Sequence, residues 1–170
     1  MLGPGDFCLR YMKIKIICVG KIKEKFYRDA VAEYVKRLSR YCKIEILECQ
    51  DEKTPDGISP EAEKQIKIRE GTRILSRISD SEYCIALDLA GNTFTSEQLS
   101  SHLSGLMLKG KSTITFIIGG SLGLSEQVRD RADEKISFSA FTFPHQLMRV
   151  ILLEQIYRSY RIMNHEPYHK

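Results

Sequence analysis

The sequence predicts a single-domain α/β fold, in which a mostly parallel sheet carries helices on both faces. Short runs of apolar residues alternate along the chain with segments whose apolar residues recur every three or four positions, the patterns of strands and of amphipathic helices. Several of the short runs are apolar throughout, as strands are when both faces of a parallel sheet are covered. The length of 170 residues and the 42% hydrophobic and 28% charged fractions fit one globular domain.

The first part of the chain predicts a strand, a helix and a second strand. Residues 14–19 are apolar on both faces and end at Gly20, which predicts a buried strand. Residues 24–40 place apolar side chains four positions apart, the spacing of one helix face: Phe26, Ala30, Tyr34 and Leu38. Lys43–Cys49 alternates apolar and polar residues and predicts the second strand.

The middle of the chain predicts a loop, a helix and a strand. Residues 50–60 are polar and rich in turn-forming residues. Ser59 and Pro60 are residue types favoured at the cap and at the first position of a helix, which we expect to continue to Ile78. Residues 83–89 then form a third apolar run and predict a strand.

The rest of the chain continues the alternation. We expect a helix at Ser96–Leu108, a strand at Thr113–Ile118, a short helix over 125–133, a strand near 136–138 and a long helix over 146–162. A regular alternation of strands with helices is typical of a parallel sheet.

The final helix has a wider apolar surface than packing on one sheet face requires. Its two apolar sides consist of Leu147, Val150, Ile151 and Tyr157 on one side and Met148, Leu152, Ile156 and Met163 on the other. Either the helix is buried on all sides within its own domain, or the second side contacts another subunit. We expect a subunit contact, in a homodimer.

Composition excludes several classes of protein. No apolar run approaches the roughly 18 residues of a membrane span, so we expect no membrane partner. The five cysteines are scattered and form no CxxC pair, which excludes a disulfide scaffold and a zinc ribbon and favours the reducing cytoplasm. The net charge of +4 is compatible with an RNA partner but does not require one.

The chain before Met12 differs from the rest. Residues 1–11 show no strand or helix period and contain Gly-Pro-Gly, whereas Met12 begins a strand pattern at once. They also lack the apolar core and the small-residue cleavage site of a signal peptide. We expect residues 1–11 to be a leader or an added extension, and residues 12–170 to form the domain.

Residues 105–112 match the phosphate-binding pattern GxxxxGK[ST]. A phosphate loop of this kind follows a strand and opens a helix, whereas this stretch ends a predicted helix and precedes a predicted strand. We therefore expect a glycine turn at the C-terminus of a helix, with exposed lysines.

Residues 119–123, Gly-Gly-Ser-Leu-Gly, match the nucleophile pattern GxSxG in the correct strand–turn–helix context. A small serine hydrolase would use Ser121, with Asp130 or Asp133 and His145 as triad partners. The simpler interpretation is a glycine turn at the carboxyl end of a parallel strand, where open α/β sheets bind ligands. Glycines there would let the backbone approach a flat ligand.

Four segments carry a resemblance to a known family: FIIGGSLGLS at 116–125, SAFTFPHQLMR at 139–149, LEQIYR at 153–158 and EPYHK at 166–170. With them the chain resembles, from Met12 to Lys170, the SPOUT class of S-adenosylmethionine-dependent RNA methyltransferases. The resemblance implies a homodimer with a trefoil knot in its C-terminal part and the cofactor bound in the knot. It also implies methyl transfer to N3 of a pseudouridine in helix 69 of 23S rRNA, in the assembled ribosome.

The resemblance also implies, by matching motif, which residues bind S-adenosylmethionine, with no metal. They are Leu87, Gly119, Phe138, Ser139, Ala140, Phe141, Thr142 and Phe143. Three predicted strand ends meet at these positions, and the aromatic side chains form a lining apolar enough to bury an adenine. The alternative for each phenylalanine is ordinary core packing.

A uracil-type N3 is a poor nucleophile until it loses its proton, so a group must take that proton or stabilise the anion. The candidates are His145, Arg149, Tyr168, His169 and Lys170. We assign Tyr168 to stacking on the base or orienting it, and His169 to removing the proton or hydrogen-bonding the base. Lys170 and Arg149 are assigned to a phosphate or the anion. His145 is a second candidate for the proton, or a structural residue at a helix start.

Two further functions stay open at this point. A small serine hydrolase would act through Ser121. A non-catalytic, ribosome-associated nucleotide-binding module would keep the glycine turns without needing the terminal Tyr-His-Lys, whose chemistry argues against it.

Overall fold

The computed structural model describes residues 12–168. In this range strands and helices alternate from the first element to the last, as predicted. The leader predicted at 1–11 lies outside the described residues, as do two candidate site residues, His169 and Lys170.

The described chain forms one sheet of five strands, and every strand pair is parallel. The strands are β1 (Lys13–Val19), β2 (Lys43–Cys49), β3 (Tyr83–Thr93), β4 (Thr113–Ile118) and β5 (Glu134–Ser137). Their order across the sheet is β2-β1-β4-β3-β5. The predicted α/β class with a parallel sheet is therefore confirmed.

Five helices connect or follow these strands: α1 (Lys25–Leu38), α2 (Pro60–Leu75), α3 (Ser96–Leu108), α4 (Glu126–Arg131) and α5 (His145–Met163). The predicted cap at Ser59 is confirmed, because its side chain accepts a hydrogen bond from the Ala62 N–H at 3.2 Å. Thr95 and Gln98 form a reciprocal capping box at the start of α3. The match at 105–112 is a helix-end turn, with Gly110 at φ 80° between α3 and β4.

Two predicted boundaries are wrong by more than a residue or two. Helix α2 ends at Leu75 and not at Ile78, because the N–H groups of Arg77 and Ile78 bond to carbonyl groups only three residues back and the chain tightens into turns. Strand β3 continues beyond residue 89 to Thr93, because its last part pairs with β5.

Apolar residues on the two faces of the sheet form two separate cores. On one face Ile14, Ile16 and Phe116 pack with side chains of α1, α3 and α5. On the other face Ile17 and Ile117 pack with side chains of α2 and α4. Both faces of the central strands are therefore buried, which explains why their sequences are apolar throughout.

One of the two apolar sides of α5 is buried within its own subunit. Helix α5 packs against α1, α3 and the sheet, and Leu152 and Ile156 are completely buried in the core they share. The expectation that these two residues contact another subunit is therefore wrong. On the other side, Leu147, Val150 and Ile151 remain half-buried. The homodimer itself stays a prediction, as does the trefoil knot.

No helix between residues 12 and 168 has the length and apolar character needed to span a membrane.

Candidate functional site

A cavity of about 700 Å³ opens at the carboxyl ends of β3, β4 and β5. Its walls come from three chain segments: β3 at Leu87–Leu89, the turn after β4 at 118–124, and the segment after β5 at 136–145 without Ala140. Arg129 and Met148 complete the lining. This is the edge of an open parallel sheet where ligands bind.

The cavity exists because β3 separates from β4 at this point. Strand β3 pairs with β4 only as far as Ala86. Its pairing with β5 then breaks, since Leu87 and Asn92 are both in register with Ile136. The residues between them bulge out of the sheet. At the end of the bulge Gly91 lies so close to β5 that a Cβ atom there would be 2.6 Å from the Ile136 nitrogen.

The wall after β4 is the glycine turn at 119–123. Gly120 and Gly123 form an isolated antiparallel bridge, and the Gly123 N–H donates to the Gly120 carbonyl at 3.0 Å. Gly123 has φ 84°, which favours glycine, and a Cβ atom at Gly119 would be 3.0 Å from the Gly123 carbonyl carbon. These glycines are therefore required by the turn itself, whatever ligand approaches it.

The wall after β5 is held in shape by serine side chains. The Ser137 hydroxyl donates to the Ser139 carbonyl at 3.1 Å, and the Phe141 N–H donates to the Ser139 hydroxyl at 3.0 Å. This arrangement leaves Phe141 78% and Phe143 36% exposed beside the cavity. Neither ring is a core residue, so the alternative of ordinary core packing does not hold for them.

The cavity brings together nearly all of the residues that the sequence motifs suggested for a cofactor. Leu87, Gly119, Phe138, Ser139, Phe141, Thr142 and Phe143 line it. Ala140 is exposed and does not belong to the lining. The volume, the apolar walls and the backbone groups of the turn fit a nucleoside-sized ligand with a flat ring.

Of the residues between 12 and 168 that were considered for the N3 proton or for the anion, only His145 lines this cavity. It is the first residue of α5 and is half-buried. Burial and the neighbouring Arg149 guanidinium lower the pKa of its imidazole from the ordinary 6.5. The ring is therefore neutral near pH 7 and can accept a proton or a hydrogen bond.

Arg149 does not line the cavity, and its position does not support contact with a phosphate. Its guanidinium is 1% exposed and donates to Glu48 Oε2 at 2.7 Å, to the Gly20 carbonyl at 2.6 Å and to the Val19 carbonyl at 3.3 Å. Arg149 thus fastens α5 to the ends of β1 and β2. These structural contacts account for the guanidinium in this subunit, and the expected anion-binding role stays a prediction.

Tyr168 also lies away from the cavity of its own subunit. Its ring packs edge-on against Tyr157 at 5.0 Å between centroids, and the Arg158 guanidinium lies 4.7 Å from its centroid. Its hydroxyl donates to Glu154 at 3.2 Å, and Arg158 holds the same carboxylate at 2.7 Å. Burial and the Glu154 charge raise the pKa of the Tyr168 hydroxyl to about 12, so it stays protonated.

Several polar groups at or near these places were missed by the sequence analysis. Asp88 and Arg129 form an ion pair of 2.7 Å on the cavity wall. Glu154 and Arg158, which hold Tyr168, are spaced four residues apart inside the LEQIYR segment. That i,i+4 spacing of opposite charges predicts an ion pair on one helix face. The Asp88–Arg129 pair joins separate elements, so no local pattern predicts it.

The arrangement does not form a serine hydrolase triad. Ser121 and His145 both line the cavity, but no hydrogen bond joins them in the described part of the chain. The Asp133 carboxylate instead accepts a hydrogen bond from the Cys84 N–H at 2.7 Å. Residues 12–168 also contain no cluster of three or more His, Cys, Asp or Glu side chains suited to a metal ion.

Comparison with known proteins identifies the class. Residues 12–169 match a family model described as "Predicted SPOUT methyltransferase". The chain belongs to this SPOUT methyltransferase family, and it is an enzyme of the methyltransferase class.

Individual relatives share more than half of their residues with this chain. It is 58% identical over 159 residues to "Ribosomal RNA large subunit methyltransferase H 1" of Clostridium perfringens strain SM101. It is 60% and 59% identical over 159 residues to proteins named "Ribosomal RNA large subunit methyltransferase H" from Clostridium tetani and Clostridium novyi. Each alignment covers 94% of this chain and 100% of the relative.

Proposed function

We propose that this chain is a 23S rRNA (pseudouridine-N3)-methyltransferase that uses S-adenosylmethionine. Its target would be a pseudouridine in helix 69 of the large subunit, presented by the assembled ribosome in the cytoplasm. The names of relatives 58–60% identical over their whole length support an rRNA substrate. The modest net charge of +4 supports a substrate presented by a folded particle, because a protein with little positive charge binds naked RNA weakly.

The observation that carries the proposal is that one cavity collects the residues implied for the methyl donor, all but Ala140. Leu87, Gly119 and the segment from Phe138 to Phe143 would hold S-adenosylmethionine against apolar side chains and backbone groups. When bound, this cofactor supplies an electrophilic methyl group on a sulfonium. The rigid turn at 119–123 and the serine-bonded segment at 137–141 fix the cavity walls, and such positioning is what an in-line displacement needs.

The proton on N3 must leave before or during transfer. His145 is neutral and lies on the cavity wall, so it is a candidate to accept that proton. His169 is the other candidate, with Tyr168 orienting the base and Lys170 stabilising the anion. Because Tyr168 is held on its own α5 and away from its own cavity, we propose a homodimer in which the tail serves the partner's cavity.

The test is to incubate purified ribosomes that lack the modification with the protein and methyl-labelled S-adenosylmethionine, and then to map the labelled nucleotide. We expect label on N3 of one pseudouridine in helix 69, with assembled ribosomes and not with naked 23S rRNA. Label at another nucleotide, or equal labelling of naked rRNA, would overturn the proposed substrate while leaving the methyltransferase class intact.

A further inference from the structure

Helix α2 places a buried acidic residue directly behind the glycine turn of the cavity. Glu70 is only 4% exposed. Its Oε1 accepts a hydrogen bond from the Glu52 N–H at 3.0 Å, but its Oε2 has no hydrogen-bond partner among the described residues. A buried carboxyl oxygen without a partner is costly, so its position directly behind the cavity calls for an explanation beyond packing.

The wall between this carboxyl group and the cavity is one residue thick. A Cβ atom at Gly120 would be 3.0 Å from Glu70 Oε2 and 3.4 Å from Oε1, so the carboxyl group packs against the Gly120 backbone. Gly120 in turn lines the cavity. Gly71, the next residue of α2, also packs closely against the segment after the turn, because a Cβ atom there would be 2.3 Å from the Ser125 hydroxyl.

The surroundings of Glu70 favour a positive charge nearby. Burial raises the pKa of the Glu70 carboxyl, the Asp51 and Glu52 charges raise it further, and the Glu52 N–H and the Arg73 guanidinium oppose them. Arg73 is itself paired with Glu52. A cation placed in the cavity, across the Gly120 backbone, would stabilise the ionised carboxylate.

We propose that Glu70, acting through the thin wall at Gly120, makes this cavity bind a positively charged methyl donor more tightly than its neutral product. The inference rests on the proposed function, because it takes S-adenosylmethionine as the donor. On transfer the bond between the methyl carbon and sulfur breaks and its electron pair stays on sulfur. The sulfonium thus becomes the neutral thioether of S-adenosylhomocysteine. The buried carboxylate attracts the positive sulfonium and not the neutral thioether sulfur, so it favours release of the product.

The experiment is calorimetric titration of the full chain with each of the two ligands at pH 8 and low salt. Glu70→Gln keeps the shape of the side chain and the acceptor for the Glu52 N–H, but removes the charge. We expect its affinity for S-adenosylmethionine to fall about tenfold, with S-adenosylhomocysteine affinity within about twofold of the wild type. The control is Glu63→Gln, an equal charge change on the exposed side of the same helix, which should alter neither affinity.

A variant that keeps the charge extends the test. Glu70→Asp should retain the preference for the charged ligand even if both affinities fall. Equal weakening of both ligands in Glu70→Gln, or no change in either, would overturn the inference, because a mechanical support of the turn would not discriminate between them. Wild-type protein that binds neither ligand would overturn the proposed function itself.

Discussion

The hydroxyl of Tyr168 donates a hydrogen bond to Glu154 Oε1 at 3.2 Å, which holds the end of the described chain against its own last helix. This contact places Tyr168 away from the cavity that its own subunit forms at the ends of β3, β4 and β5. If Tyr168 takes part in methyl transfer, a second subunit has to bring it to the cavity, and that requirement can be tested directly.

Mixing two inactive variants should restore activity. One variant lacks residues 168–170, and the other carries Gly119→Val, whose added side chain collides with the Gly123 backbone. After subunit exchange, half of the dimers are mixed and one of their two sites is complete, so we expect about a quarter of wild-type methyl transfer to ribosomes. Each variant alone should show almost none. A mixture as inactive as its components would mean that the tail acts within one subunit or not at all.

Arg149→Met should lower stability. The change leaves the Gly20 and Val19 carbonyl groups without their buried donor and Glu48 without its partner, and we expect a loss of about 3 kcal/mol in the free energy of unfolding. Urea unfolding followed by circular dichroism measures it. Arg40→Met, at a largely exposed position, is the control and should change stability by less than about 1 kcal/mol. A fully stable Arg149→Met protein without activity would restore the anion-binding role expected from the sequence.

Gly91→Ala should destabilise the protein and disturb the cavity. Its Cβ atom would be 2.6 Å from the Ile136 nitrogen, so β3 and β5 would have to separate where they frame the cavity. We expect a loss of at least about 2 kcal/mol, measured by thermal unfolding. Gly105→Ala is the matched control, since nothing lies within 4 Å of its added Cβ atom in the interior of α3. That control should stabilise the protein by about 0.5–1 kcal/mol.

The rate of methyl transfer should fall on the acid side if His145 accepts the N3 proton. The pKa of His145 is lowered from 6.5 by burial and by Arg149, so the neutral ring persists below that value and is lost only at lower pH. We therefore expect kcat/KM to stay level from pH 7 down through pH 6.5 and to fall only at lower pH. In His145→Gln the rate should drop about 10²–10⁴-fold and this acid limb should disappear. An unchanged pH profile in the variant would mean that His145 does not accept the proton and would leave His169 as the candidate.

The same imidazole also links folding to pH. The folded state disfavours protonation of His145, whereas the unfolded chain protonates it with a pKa of about 6.5. His145 therefore lowers the free energy of unfolding as the pH falls below 6.5. His145→Gln should therefore lose less stability than the wild type between pH 7 and pH 5. The midpoints of urea unfolding at the two pH values provide the measurement. Equal losses of stability in both proteins would contradict the lowered pKa of His145.

Much of the fold could be predicted from local patterns, since they report local interactions. Ser96–Leu108 and Thr113–Ile118 begin and end where the sequence predicts, because capping residues and apolar periods act within a few positions. The end of β3 could not be predicted. Its last residues pair with β5 after a break in register, and that pairing depends on a segment more than forty residues further along the chain.

In the candidate site, too, local features could be predicted from the sequence and long-range contacts could not. The glycine turn stands out in the sequence because glycine is needed where the chain turns tightly at a strand end. The aromatic segment after β5 stands out because it belongs to a recognisable motif. By sequence alone, the alternation of strand and helix patterns determined the fold class, and these motifs determined the edge of the sheet that forms a cavity and the resemblance to a family. Only the tertiary structure decided what Arg149 and Leu152 pack against. A charged or apolar side chain on a helix serves the core or the surface according to what packs against it. For Arg149 the deciding partner is the Gly20 carbonyl, 129 residues away in the chain.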